Sequence, residues 1–308
     1  KGLYKLLTQQ LSNSKINELN VFYTDSNLII EEEFKKYYSK SKIRVFSHYW
    51  QCWRYLDSQN KILSVDNFLN TKNKNRKNYF LSYNRSPHIH RCASMLYLYE
   101  NKLHEKGIVS FPSETQGVQG NQFSIQSGVD EFFGEDDYKK NIVDDLKIRL
   151  PLIADVNDIF TSDNIWDSVV IESSFFSTYF SFVVGTMFDE FEEKNPYTIF
   201  MSEKIYKALT SFHPTIYMGN MGSLEKLRTM GFKTFHPFIN EEYDKEPNRV
   251  KRLEMIIINK LCEMSLSELH DLYWSMSDIL IHNHNVYYQT VIPLCENKME
   301  HITYEIMK

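Results

Sequence analysis

Hydrophobic residues in this chain fall in short blocks, each followed by a polar turn and then by apolar positions at helical spacing. "NVFYTDSNLIIEEEFKKYY", residues 20–38, predicts a strand, a turn over Thr24 to Asn27, and a helix with its acids early and its lysines late, an order that suits the helix dipole. "IRVFSHYW", residues 43–50, predicts a second strand. "LNTKNKNRKN", residues 69–78, offers almost nothing to bury and predicts a domain boundary. Beyond it, "YFLSY" (79–83) reads as a strand and "NRSP" as a turn. "HRCASMLYLYENKLHEKG" reads as a helix with apolar residues at 92, 95, 96, 99 and 103, stopped by Gly107. "IVSF" (108–111) reads as the next strand. This β-α-β unit would present its ligand side around residues 84–91, at the strand's carboxyl end.

Residues 112–128 are polar and glycine-bearing and predict a surface loop near the cleft. "STYFSFVVGTMF" (177–188) predicts a buried strand. Ser202 can cap a helix that runs to about Ser211, and Pro214 forbids its continuation. "TIYMG", "NMG" and "SLEKLRTM" then predict a strand, a turn and a helix from Ser223 to Gly231, a second β-α-β module. Residues 246–281 read as largely helical.

Length and charge narrow the picture. A chain of 308 residues most naturally makes two domains. With 35 Lys+Arg against 40 Asp+Glu, it lacks the global basic field of an electrostatically driven nucleic-acid binder, although a local basic groove stays open. Cys52, Cys92, Cys262 and Cys295 have neither CxxC nor zinc-ligand spacing, as expected of reduced thiols. No apolar run approaches the roughly 20 residues needed to span a bilayer, and "KGLYKLLTQQLSNSK" lacks a signal-peptide core. The expected setting is the cytoplasm.

Several residues could carry chemistry. Lys204 in the first turn of a helix adds a point charge to the positive helix end, which suits a phosphate. Glu203 beside it would accept hydrogen bonds from ribose hydroxyls, so a nucleotide diphosphate accounts for both, an acid-capped helix start with a solvated lysine being the alternative. Asn84, Arg85 and Arg91 follow the strand at 79–83. Arg91 suits a pyrophosphate as a bidentate donor, or is a solvated helix-start arginine. The turn "GNMGS", with Gly219, Gly222 and Ser223, offers amides to a ligand or simply joins strand to helix. The pairs His88/His90 and His282/His284 share a face only in a strand, and the first lies on a turn entering a helix, so no metal site is expected. "DVND" at 155–158 reads as loop polarity.

Taken together, "YFLSYNRSPHIHR", "SEKIYKALTSFHPTIYMG", "GSLEKLRTMGFKTF" (222–235) and "EEYD" (241–244) resemble a GT-B glycosyltransferase, similar to the α1,3-fucosyltransferase and exostosin-like branch with relatives in tailed-phage genomes. The resemblance spans about residues 79–285. It implies an α/β protein of two Rossmann-like domains with an interdomain cleft and C-terminal helices. The acceptor-side domain would be residues 1–75, the nucleotide-sugar domain 76–275, and a helical extension 276–308. It also implies transfer from a nucleotide-diphosphate sugar, GDP- or UDP-linked, to a glycan or other hydroxyl acceptor, with inversion and no obligatory metal or other cofactor. Arg91 and Lys204 would contact the diphosphate, Glu203 the ribose, and Asp25, on the turn after the first strand, would be the base. The relatives often carry an acid where this chain has Gly185 in "VVGT". Two alternatives remain: a transferase acting on phage DNA bases, using the basic run Lys72, Lys74, Arg76 and Lys77, and a non-catalytic sugar-binding or virion assembly module. A viral chain would work in the host cytoplasm.

Overall fold

In the computed structural model the described residues are 19–24, 43–48, 63–84, 86–113, 124–152, 172–188, 199–236, 238–256 and 258–307. They form an α/β protein. Strands β1 (Leu19–Thr24) and β2 (Ile43–His48) make a parallel pair in register from Leu19 opposite Ile43 to Thr24 opposite His48. A separate four-stranded parallel sheet contains β3 (Asn78–Tyr83), β4 (Ile108–Ser110), β5 (Thr178–Val184) and β6 (Thr215–Met218), in the order β4-β3-β5-β6. Every residue of β5 and β6 is buried, which is why both read as unbroken apolar runs rather than alternating ones.

The helices follow from the strand order. From β3 the chain passes through α1's successor α2 (Ile89–Glu100) to β4 on one side, and from β5 through α6 (Glu203–Thr210) to β6 on the other; α1 itself is Val65–Leu69. Parallel crossovers are right-handed, so the two helices cover opposite faces of the sheet. The crossover direction reverses between β3 and β5, which makes the crevice at their carboxyl ends a topological switch point. Around α2 pack α3 (Ile125–Phe133) and α4 (Asp137–Arg149). The remaining helices are α5 (Glu172–Ser177), α7 (Ser223–Thr229), α8 (Arg249–Met255), α9 (Ile258–Glu263), α10 (Leu266–Ser275), α11 (Ser277–Val286) and α12 (Ile292–Met307), with a π-helical turn Tyr287–Val291 between the last two. Helix α10 lies against β5 and β3, α11 against α6, and α12 runs beside β2.

Two clusters lock the carboxyl-terminal helices to the sheet. Trp274, Phe68, Phe212 and His284 stack in sequence, with ring centroids 4.9, 4.4 and 4.4 Å apart, so α1, α10 and α11 share one aromatic column. Phe212 holds a left-handed φ of 56° to join it, a conformation that costs a non-glycine residue free energy and persists because the stack determines it. The second cluster is centred on Arg76, which is buried. Its guanidinium donates to the carbonyls of Phe175 and Thr178 and to the Tyr273 hydroxyl at 2.6 Å, and lies 4.2 Å from the Tyr273 ring. Tyr273 passes a hydrogen bond on to the Phe212 carbonyl at 2.9 Å. Burial pushes the pKa of Arg76 down, while the two nearby tyrosines push it up.

Three expectations change. Residues 69–78 hold a core cation rather than only solvated polarity. Helix α3 begins inside the expected 112–128 loop, capped by Ser124, with Gly128 buried in it. Helix α4 has only Val143 and Leu146 buried, too little apolar periodicity to be seen in advance. The helix expected at 28–38, the "DVND" segment and Cys52 lie outside the described residues. Cys92, Cys262 and Cys295 are buried. Among the described residues no helix is long and apolar enough to cross a membrane.

Because truncating Arg76 removes its hydrogen bonds to the buried carbonyls of Phe175 and Thr178 and to the Tyr273 hydroxyl, Arg76→Ala is expected to lower folding stability by about 3 kcal/mol. Urea denaturation checks this; a loss below about 1 kcal/mol would show that the guanidinium is not holding α10 to the sheet.

Candidate functional site

The switch point is built from the residues that follow three strands. After β3, the Asn84 amide donates to the carbonyl and hydroxyl of Ser110 at 3.1 and 3.2 Å, and its Nδ2 donates to Ser82 Oγ at 3.1 Å. These bonds fix the side chain. Its Oδ1 is buried without a partner among the described residues. A short turn then enters α2, where Arg91 sits in the first turn, buried, with Nη1 donating to the Ser86 carbonyl at 2.9 Å and Nη2 to the Gly185 carbonyl at 3.0 Å. His90 Nε2 also meets the Gly185 carbonyl at 3.0 Å, so that nitrogen carries the proton.

Gly185, just past β5, is therefore the acceptor on which two side chains of α2 converge. Its own amide continues the ladder to the Met218 carbonyl at 2.9 Å. A Cβ here would lie 3.0 Å from the Tyr217 hydroxyl and 3.2 Å from the carbonyls of Met187 and Met218, tighter than packed carbons normally sit. The acid that stands at this place in the resembling transferases would have no room unless Tyr217 moved.

Tyr217, on β6, joins the two halves of the site. Its hydroxyl donates to the Phe200 carbonyl at 3.2 Å. Burial, and then the negative charge of Glu203, push that hydroxyl far above the usual tyrosine range, with Arg91 acting in the opposite direction. Glu203 and Arg91 thus both lie near enough to this phenol to act on it electrostatically. A Cβ at Gly219 would come within 2.2 Å of the Tyr217 ring, so this position is closed to any larger residue. Asn220 spans the neighbouring backbone, accepting from the Phe200 amide and donating to the Phe188 carbonyl, both at 3.1 Å.

At the start of α6, Ser202 has the extended backbone of an N-cap (φ −92°, ψ 175°), but its hydroxyl makes no capping bond and is buried without a partner among the described residues. Lys204 Nζ donates to Glu203 Oε1 at 2.7 Å, so the two residues expected to hold different parts of a ligand hold each other. Burial pushes the Glu203 carboxyl up, but Lys204 and Lys207 outweigh it and bring the carboxyl down to about 2. Neither side chain is fully buried, with 21% of Glu203 and 29% of Lys204 exposed, so solvent-borne groups can reach them.

The turn before α7 differs from expectation. Gly222 adopts φ 81°, and its amide donates to the Asp244 carbonyl at 2.9 Å; the Ser223 amide donates to the Asn220 carbonyl at 3.1 Å. The Asp244 carboxylate accepts from the amides of Leu224 (3.1 and 3.2 Å) and Glu225 (3.4 Å). The chain's own acid occupies the helix start, and the backbone offers a ligand little here. The Ser223 hydroxyl, buried and without a partner among the described residues, is what this turn still presents.

Asp25 and Arg85 lie outside the described residues. The histidine pairs have backbone duties: His282 donates to the Gly231 carbonyl at 2.9 Å, His284 to that of Thr210 at 2.9 Å, and the rings of His88 and His90 stack at 5.8 Å. Sequence reasoning gave Tyr217, Asn220 and Asp244 no role of their own and weighed His90 only as a metal ligand, although all four lie in segments it singled out. No family model, curated protein or solved structure matches this chain, so the site stands on its geometry and on the motifs themselves.

Asp244 also sets a pH dependence. Burial pushes its carboxyl up to about 6, against hydrogen bonds from the Leu224 and Glu225 amides and the charges of Arg228 and Arg252. With the folded value above the unfolded one, stability is fully present below the unfolded value of 3.8 and is lost as pH rises through about 6. Urea midpoints of the wild type relative to Asp244→Asn are therefore expected to fall as pH is raised from about 4 to about 6. A constant difference across that range would contradict the assignment.

Proposed function

We propose that this protein transfers a sugar from a nucleotide-diphosphate donor to a hydroxyl acceptor, a glycan, and that it does so with inversion and without an obligatory metal. The observation that carries the proposal is the placement of Arg91, bonded to the Gly185 carbonyl, and of the Glu203–Lys204 pair on the helix starts that follow β3 and β5, the two strands between which the winding of the parallel sheet reverses. Crevices at such reversals are where open α/β sheets take nucleotides. In this reading the four-stranded sheet is the donor domain and the β1-β2 pair belongs to a second Rossmann-like domain that brings the acceptor, with the cleft between them. GDP- and UDP-sugars are the donor class.

The chemistry asked of the residues is electrostatic. On departure of the nucleoside diphosphate, negative charge grows on its terminal phosphate, and fixed cations at that position lower the barrier. Arg91 is preorganised for this role, since two carbonyls hold its guanidinium in place. Lys204 has to exchange Glu203 for a phosphate oxygen, and the released carboxylate then accepts from the ribose hydroxyls. The buried acceptor of Asn84 and the hydroxyls of Ser202 and Ser223 supply neutral hydrogen bonds to the same ligand. Asp25 is the proposed base for the acceptor hydroxyl.

Transfer to DNA bases has less support, because Arg76 is buried and the run Lys72, Lys74, Arg76, Lys77 loses its strongest phosphate donor. A sugar-binding module without turnover is the other reading. It is favoured by the crowded Gly185, which leaves no room for an acid at the end of β5.

Titration calorimetry with GDP and UDP tests the proposal. One of them is expected to bind, and Lys204→Ala, a partly exposed change that spares the fold, to weaken it about tenfold or more, the worth of one charged hydrogen bond. Binding of neither diphosphate would remove the transferase reading. Binding without sugar transfer to any hydroxyl acceptor would leave the module.

A further inference from the structure

A second cavity, of about 350 Å³, lies between the carboxyl end of α2, the 3-10 turn Leu103–Glu105 and α4. Helix α2 starts beside the carboxyl end of β3 and runs back toward the start of β4, so this cavity is at the opposite edge of the sheet from the site above. Two tyrosines and a histidine form its walls. Tyr138 is 62% exposed, Tyr99 is nearly buried, and the His104 ring is tilted over Tyr99 with centroids 4.7 Å apart. His104 Nδ1 is buried with no hydrogen-bond partner among the described residues.

The polar groups around these rings restrict what the cavity can take. Three carboxylates, Glu100, Glu105 and Asp145, face two cations, Lys102 and Arg149, so an anion finds no net positive field. Asp145 accepts from the Tyr99 hydroxyl at 2.5 Å and Glu100 from the Tyr138 hydroxyl, so two of the three acids are tethered to phenols and poorly placed to ligate a cation. Ile142 is the one aliphatic residue in the wall, too little for an apolar ligand. What remains suits a neutral molecule with an apolar ring face and many hydroxyls. Aromatic side chains supply the face, and carboxylate, carboxamide and guanidinium groups, here Asp145, Asn141 and Arg149, offer planar arrays of acceptors and donors to vicinal hydroxyls.

We propose that this cavity is a saccharide-binding site for a neutral pyranoside unit, separate from the switch-point crevice. It stands independently of the transferase reading; where both hold, it would retain a longer acceptor glycan at a distance from the reaction.

Saturation-transfer NMR with maltotetraose, cellotetraose and chitotetraose tests it. At least one is expected to bind with a dissociation constant of about 10 mM or tighter. Tyr138→Ala and Asn141→Ala, both at solvent-accessible positions of α4, are each expected to weaken binding about tenfold, the worth of one stacked ring or hydrogen-bonded group. Lys204→Ala is expected to leave it unchanged. No saturation transfer to any of the three sugars, an affinity that Tyr138→Ala leaves unchanged, or saturation transfer abolished by Lys204→Ala would overturn the proposal. GDP and UDP titrated into the same samples separate the two readings: nucleotide binding without saccharide binding sinks this one alone, and the reverse sinks the transferase.

Discussion

The carbonyl oxygen of Gly185 is the point on which the arrangement at the switch point depends. It sits at the end of the fully buried central strand β5, where the ladder to β6 closes, and it accepts from both Arg91 and His90. A buried carbonyl in need of a donor and a buried guanidinium in need of acceptors bond to each other, which spares the carbonyl the cost of an unmade hydrogen bond. The bond ties the first turn of α2 to β5. It also crowds position 185, where a side chain would begin 3.0 Å from the Tyr217 hydroxyl and could be held only if that neighbour gave way. Strand end, helix start and the tyrosine of β6 are thus one constraint seen from three sides.

The two helix starts at this edge of the sheet handle the same physics in opposite ways. Helix α7 is closed by Asp244, whose carboxylate takes the free amides and is buried by doing so. At α6 the capping hydroxyl of Ser202 is turned away, and Glu203 and Lys204 form an ion pair that is still partly in solvent. The pair is partly in solvent, so a ligand carrying both hydroxyls and a phosphate can reach it and offer each partner a replacement. The first helix start serves stability and the second is the one open to exchange.

Much of the four-stranded sheet was legible in the sequence because buried parallel strands leave largely apolar runs: "YFLSY", "IVSF", "STYFSFVV" and "TIYM" all became strands, and the helix expected to stop at Gly107 followed its periodicity as far as Glu100, a 3-10 turn taking its place at Leu103–Glu105. What stayed hidden depends on partners far away in the chain. Nothing local in "LNTKNKNRKN" reveals that Arg76 meets Phe175, Thr178 and Tyr273. Asp244 reads only as part of an acidic segment until α7 is seen starting on it. Arg91, Glu203 and Lys204 were legible as residue types suited to a nucleotide diphosphate, but the bond from Arg91 to the Gly185 carbonyl was not, because it arises from the meeting of α2 with the end of β5.

The central claim is that Arg91 and Lys204, from helices that follow β3 and β5, act on one diphosphate. A crystal structure with whichever of GDP and UDP binds tests it most directly. The account predicts a pyrophosphate within hydrogen-bond reach of the Arg91 guanidinium, with Lys204 Nζ moved from Glu203 Oε1 onto a phosphate oxygen. A nucleotide bound elsewhere, with the Glu203–Lys204 pair intact and Arg91 touching only Ser86 and Gly185, would contradict it.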